Sequence, residues 1–202
     1  MSLITLPNPS GIDFYVQRQQ SRLYAYLTDR WGTDDSTYNS FGRVYRNNTK
    51  DGYIPEFYNP ATGEYVAGDN ENSAGGMFIE DSLAVVSFYG MTDPEGKNTN
   101  RDEVAKVSLM FFLDLSQITP GGLLPGNNPG QQQGQRLDEL AINDVMNFLQ
   151  CNGCCFTLTN TYRGIDKVLE QYSGAAKKLA LLNNMHPKLC FRIDITITGI
   201  EQ

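Results

Sequence analysis

Four cysteines and one histidine are the residues of this chain whose chemistry is easiest to name. Cys151 and Cys154 have ligand-type spacing, Cys155 follows at once, and His186 and Cys190 stand four residues apart further on. A Cys3His set is one of the ligand sets that hold structural zinc, which takes four such donors in a tetrahedron. The surroundings argue for ordinary cysteines instead. Cys190 opens a run that alternates like a strand, and no knuckle-like glycine pattern surrounds the Cys-x-x-Cys pair. A dithiol redox role fits less well, because that motif opens a helix after a strand and this one follows a helix. Three cysteines crowded into one loop are also a poor layout for a disulfide framework. No metal and no cofactor are expected.

Nucleophilic chemistry meets similar objections. His186 with Cys154 or Cys155 would form a thiol–imidazole pair, but a lone histidine before Pro187 reads as a turn residue. A Ser-His-Asp site would need a Gly-x-Ser-x-Gly elbow, which the chain lacks. It also lacks the glycine-rich turns that cradle phosphate or dinucleotides. The acid pairs Asp34-Asp35, Glu80-Asp81 and Asp138-Glu139 read as surface charge. The clusters 32–35 and 68–72 lack the alternating ligand plan of a calcium loop. The chain is therefore read as a non-enzyme.

The totals point the same way. The 202 residues carry 16 basic and 23 acidic side chains, a net charge of -7. Nucleic-acid binding needs clustered Lys and Arg, and no such run occurs. No apolar run reaches the ~18 residues that span a bilayer, and the start Met1-Ser-Leu-Ile-Thr-Leu-Pro7 does not resemble a secretory signal. A cytosolic protein, or one built into a particle in the cytosol, is expected.

The elements that would position these residues follow from periodicity. Val104–Ile118 carries Val107, Leu109, Phe111, Leu113 and Leu115 at every second position. Its other face is half apolar, as in a central strand. Leu137–Leu149 follows with a broad helical stripe. Ahead of both, Ile12, Tyr15, Val16, Leu23, Tyr26, Leu27 and Trp31 mark an amphipathic helix. Asn8–Ser10 is expected to cap it, Gly32 to stop it, and Arg18, Gln19, Gln20 and Arg22 to face water. Leu83–Tyr89 reads as a strand closed by Gly90, antiparallel to the central one. Phe156–Thr159 is a short strand, 164–172 a short helix and 175–182 another helical turn or two. In Cys190–Thr198, Phe191, Ile193, Ile195 and Ile197 face a core, and Arg192, Asp194, Thr196 and Thr198 face solvent or a partner.

The fold class is α+β, a mixed and mainly antiparallel sheet with helices on one face, in a single domain over 1–202. Two segments stand apart. Residues 119–135, rich in Gly, Pro and Gln, are a flexible loop. Residues 33–76 form an aromatic hairpin or arm region with strand-like pieces at 43–46, 53–58 and 64–66. Pro55 places its run at an edge or in an extended arm. Either these pieces fold back on their own domain or they reach a neighbouring subunit. Tyr45, Tyr53, Phe57, Tyr58 and Tyr65 are the candidate interface residues, since aromatics cover area at little entropic cost.

Val44-Tyr-Arg-Asn47, Gly52-Tyr-Ile-Pro-Glu-Phe-Tyr58, Asp81-Ser-Leu-Ala-Val-Val-Ser-Phe-Tyr89, 107–115 and 185–193 together resemble a small structural protein of tailed bacteriophages. The likeness is to the neck and tail-terminator (tail-completion) group, in layout and over most of the chain. The resemblance implies a virion protein, assembled in the bacterial cytoplasm, that forms a homo-oligomeric ring at the head–neck–tail junction. It implies contact with other neck or tail proteins, DNA passing through without sequence-specific binding, and no membrane. The alternative is a small metal-binding or peptide-interaction protein with a zinc site drawn from Cys151, Cys154, Cys190 and His186.

Overall fold

The structure, a computed structural model, describes residues 3–32, 38–50, 52–67, 85–91, 103–115, 118–119, 137–151, 156–170, 172 and 188–200. Its organising strand is β5 (Glu103–Asp114), where the two-residue alternation lies. β5 is flanked by β4 (Val85–Met91) and β7 (Lys188–Ile200), both antiparallel to it. β6 (Phe156–Arg163) pairs with the far side of β7. β1 (Tyr38–Thr49), β2 (Gly52–Asn59) and β3 (Glu64–Ala67) form a meander, and β1 joins β4 in parallel. The seven-stranded sheet runs β3-β2-β1-β4-β5-β7-β6. The chain is thus α+β with a mixed, mainly antiparallel sheet.

Alternation gives the sheet two differently covered faces. Val107, Leu109, Phe111 and Leu113 of β5, with Phe191, Ile193 and Ile195 of β7, point to one side and are buried. Both long helices cover that side: α1 (Ile12–Trp31) through Val16, Leu23, Leu27 and Trp31, and α2 (Leu137–Cys151) through Ala141, Ile142, Val145 and Phe148. Each such side chain stabilises the fold by about 1.5–3 kcal/mol through its burial. Asp144 joins the two helices. Its carboxylate accepts from Trp31 Nε1 at 2.8 Å and Arg30 Nε at 3.1 Å, and its side chain is nearly inaccessible.

On the other face Met110 of β5 and Cys190 of β7 meet Val168, Leu169 and Tyr172. These come from α3 (Ile165–Val168), a single turn, and the residues after it. Arg192, on the strand face expected to be polar and open, is 3 % exposed. It donates to the carbonyls of Lys167 and Val168 and to Glu170, and its guanidinium lies 4.3 Å over the Tyr162 ring. Folding the turn over β7 buries that face locally.

Four further expectations need correction. Gly11, not a side chain of Asn8–Ser10, caps α1. It takes φ 53°, and the carbonyls of Ser10 and Gly11 accept the N–H groups of Asp13 and Phe14. Gln20 does not face water: it is fully buried, lying four residues after Val16 and three before Leu23 on the same stripe. Gly90 lies inside β4 and does not close it. Pro55, with no N–H to donate, sits in a strand paired on both sides, against Arg46 in β1. The described register with β3 begins one residue later, at Glu56↔Ala67, so no described ladder bond is lost there.

Tyr38–Thr49, Gly52–Asn59 and Glu64–Ala67 of the aromatic region therefore run as strands of the chain's own sheet. The loop at 120–135, the helical turns at 175–182, Cys154, Cys155 and His186 lie outside the described residues.

Candidate interaction surface

Strand geometry sorts the five candidate aromatics. Tyr45 pairs with Glu56, and Tyr58 with Tyr65, so Tyr45, Tyr58 and Tyr65 share one face, that of the long helices. Tyr65 is edge-on to both other rings, at 4.5 Å from Tyr45 and 5.8 Å from Tyr58. Tyr53 and Phe57 have the opposite parity and belong to the other face. Tyr53 is 44 % exposed there, while Phe57 is fully buried against Phe41 at 5.2 Å. Phe57 is thus a core residue and not an interface candidate: its ring is already covered by its own chain.

The three-tyrosine cluster is anchored by charge. Arg43, two residues before Tyr45 and on the same face, lays its guanidinium 4.6 Å over the Tyr45 ring. The same guanidinium bonds Asp13 of α1 at 3.1 Å. That contact ties the first turn of α1 to the meander. Between them opens a shallow cleft lined by Ile4, Leu6, Asp13, Gln17, Arg43, Tyr58 and Tyr65. Burial, then the nearby Tyr45, pushes the Tyr65 phenol well above its ordinary range, so it stays a neutral hydrogen-bonding group. Tyr45 remains 36 % exposed, and Phe14 of α1, beside Asp13, is 48 % exposed.

A second surface lies at the far end of the sheet. Among the described residues β6 has one strand neighbour, and Thr157 to Thr161 are all exposed, Leu158 to 39 %. Natural edges guard themselves with charge, proline or bulges. β6 has a register shift between Leu158 and Asn160, but its sequence, Phe-Thr-Leu-Thr-Asn-Thr-Tyr-Arg, contains no charge before Arg163 and no proline. Sequence reasoning passed over Arg43, Asp13 and this edge. A strand of Thr and Asn with one apolar residue exposed was the available signal for the edge.

The two described cysteines lie apart. Cys190 is buried on the α3 face, and Cys151 ends α2 on the opposite side of the sheet, exposed. One metal cannot take both as ligands. Burial alone pushes the Cys190 thiol well above its usual range, which suits a packed, unreactive side chain. Among the described residues no group of three or more His, Cys, Asp or Glu is placed to hold a metal, and no helix is long and apolar enough to cross a membrane. Compared with protein-family models, curated proteins and solved structures, the chain matches none.

Proposed function

We propose that the chain is a non-catalytic structural subunit of a tailed-bacteriophage particle that forms a ring at the head–neck–tail junction, as a tail terminator or connector. The observation that carries this is the pair of unlike surfaces at opposite ends of one sheet. The meander end presents a tyrosine cluster braced by Arg43, and the other end presents β6, the outermost of the described strands on that side. A subunit with two different surfaces contacts its neighbours head to tail, and such contacts close into a ring when the rotation allows. The excess of acidic residues suits a channel wall that lets DNA slide without sticking. Light scattering coupled to size exclusion, with negative-stain imaging, should find closed rings or incorporation into a virion. A subunit that stays monomeric at high concentration and never joins a particle would sink the proposal.

The β6 edge also supports a second reading, in which an extended peptide from another protein adds a strand there. Leu158→Lys separates the two: under the ring reading it dissolves the assembly, and under the peptide reading it leaves an already monomeric protein unchanged in size.

A further inference from the structure

The segment ahead of α1 is strand-like but is not part of the meander. Leu3 bridges Ser40 in parallel, and the Ile4 N–H donates to the Ser40 carbonyl at 2.9 Å. β4 takes the other edge of β1 at Ser40, so the segment lies along the edge that β2 occupies only further on, from Tyr45↔Glu56. Two glutamine side chains of α1 complete the ladder. Gln20 Nε2 donates to the carbonyls of Ile4 and Ser40, at 3.0 and 2.9 Å. Gln17 brackets Leu6, accepting its N–H at 2.7 Å and donating to its carbonyl at 3.2 Å. An amide that both accepts from and donates to one residue's backbone imitates a neighbouring strand. Ile4 is the apolar anchor, 7 % exposed in the cluster of Phe41, Val44 and Phe57. Gly42 leaves the room: a Cβ there would stand 3.2 Å from Gln20 Oε1. The result is a slot that reads four backbone groups, the N–H and carbonyl of Ile4 and of Leu6, and one aliphatic side chain.

We propose that in the assembled ring this slot is filled across the subunit boundary: Leu3–Leu6 of one copy lies in the slot of the next, and these arms lock the ring. The proposal rests on the ring reading and names the contact that holds it. The occupant follows from the slot itself, because every bond the segment makes within its own chain is available unchanged in a second copy. The link to α1 favours the exchanged form. Pro7 and Pro9 bias Leu6 and Asn8 toward extended backbone. The closed form must instead reverse direction over residues 7–11, with Gly11 at φ 53°, a conformation that suits glycine. A short hinge stiffened by two prolines that has to reverse direction favours exchange. Straightened, five residues reach roughly 16 Å, enough to enter a touching neighbour.

The test places a photocrosslinker at Thr5→p-benzoylphenylalanine and co-assembles unlabelled with nitrogen-15-labelled subunits in equal amounts. After irradiation and digestion, cross-links from the arm to residues 12–22 or 38–46 are weighed. Exchange predicts light–heavy hybrids as abundant as the two pure species together. It also predicts that inserting Gly-Gly-Ser-Gly after Asn8, which lets the arm fold back with ease, lowers the hybrid fraction several-fold. Pure species alone, in preparations where imaging shows rings, overturn the exchange and leave the ring reading standing. Pure species with no rings at all overturn both.

Discussion

Replacing Phe57 and Tyr45 in turn separates a core aromatic from a surface one only twelve positions away. Phe57 is fully buried, with Phe41 against its ring and Ile4, Val44 and Met110 in the same cluster. Phe57→Ala forfeits its burial and leaves a cavity, and such truncations cost about 3–5 kcal/mol. A domain has only about 5–15 kcal/mol in all, so the variant should be severely weakened as a single chain. Tyr45→Ala removes a cation–π contact with Arg43, about 0.5–1 kcal/mol, and an edge contact with Tyr65, about 0.5–1.5 kcal/mol. It should therefore destabilise the single chain by no more than about 2.5 kcal/mol. Urea unfolding followed by fluorescence, at protein concentrations low enough to dissociate any assembly, reads both. The Phe57→Ala midpoint should fall by roughly 2 M, with a far smaller shift for Tyr45→Ala. Light scattering at high concentration should show Tyr45→Ala to be the variant that fails to associate. If Phe57→Ala shifted stability by less than about 1 kcal/mol yet abolished association, the assignment of the two faces would be wrong.

Asp144→Ala should cost about 1–3 kcal/mol, since it removes the acceptor of the buried Trp31 N–H while the half-exposed Arg30 can turn to water; Asp144→Asn, which keeps acceptor oxygen for Trp31, should cost less, and denaturant melts compare the two. Arg192→Met should release the single turn α3 from β7, seen as at least tenfold faster hydrogen exchange at the Lys167 and Val168 amides, with the centres of β5 and β7 still protected. Stability should fall as pH rises above about 8.5, where the unfolded Cys190 thiol begins to ionise while burial keeps the folded one protonated. The unfolded state then binds fewer protons than the folded one, so the slope is negative. Between pH 8 and 10 this group should remove about 2 kcal/mol, a loss that Cys190→Ala should erase from urea melts at the two pH values.

The parts of the fold that were legible from sequence are those where one period governs a whole element. β5 and β7 alternate without interruption, and α1 and α2 carry apolar residues at helical spacing up to a stop such as Gly32, which takes φ 63° and returns its N–H to Thr28. Gln20 was misread because polarity was weighed before position; its place between Val16 and Leu23 already put it inside. Arg192 was misread for a different reason. Nothing local says that a later turn covers that face of β7, and the partners that satisfy its charge come from elsewhere in the chain. Of the candidate surface, the aromatic cluster was legible as composition. The separation of Tyr45, Tyr58 and Tyr65 from Phe57 and Tyr53 follows from two-residue alternation in β2 once its pairing with β1 is known. The Arg43–Asp13 tie depends on where α1 crosses the meander, which no pattern in either segment encodes.

The parallel pairing of β1 with β4 has a mechanical consequence. The sheet consists of three local units, β1-β2-β3, β4-β5 and β6-β7, each built from strands consecutive along the chain, and two seams join them. The β5–β7 seam is broad and flanked by buried side chains on both faces. The β1–β4 seam is short, breaks register between Ser40 and Arg43, and uses the slightly weaker parallel ladder. What stitches it is α1, which holds the Ser40 carbonyl through Gln20 and Arg43 through Asp13 while its apolar stripe stays in the larger core. The three-strand unit bearing the tyrosines is thus joined to the rest of the molecule by one short seam, by α1 on one face and by the cluster around Phe57 on the other. Because Phe41, Val44 and Phe57 share the smaller core with Met110 and Leu169, any tilt of this unit has to open that core as well as the seam.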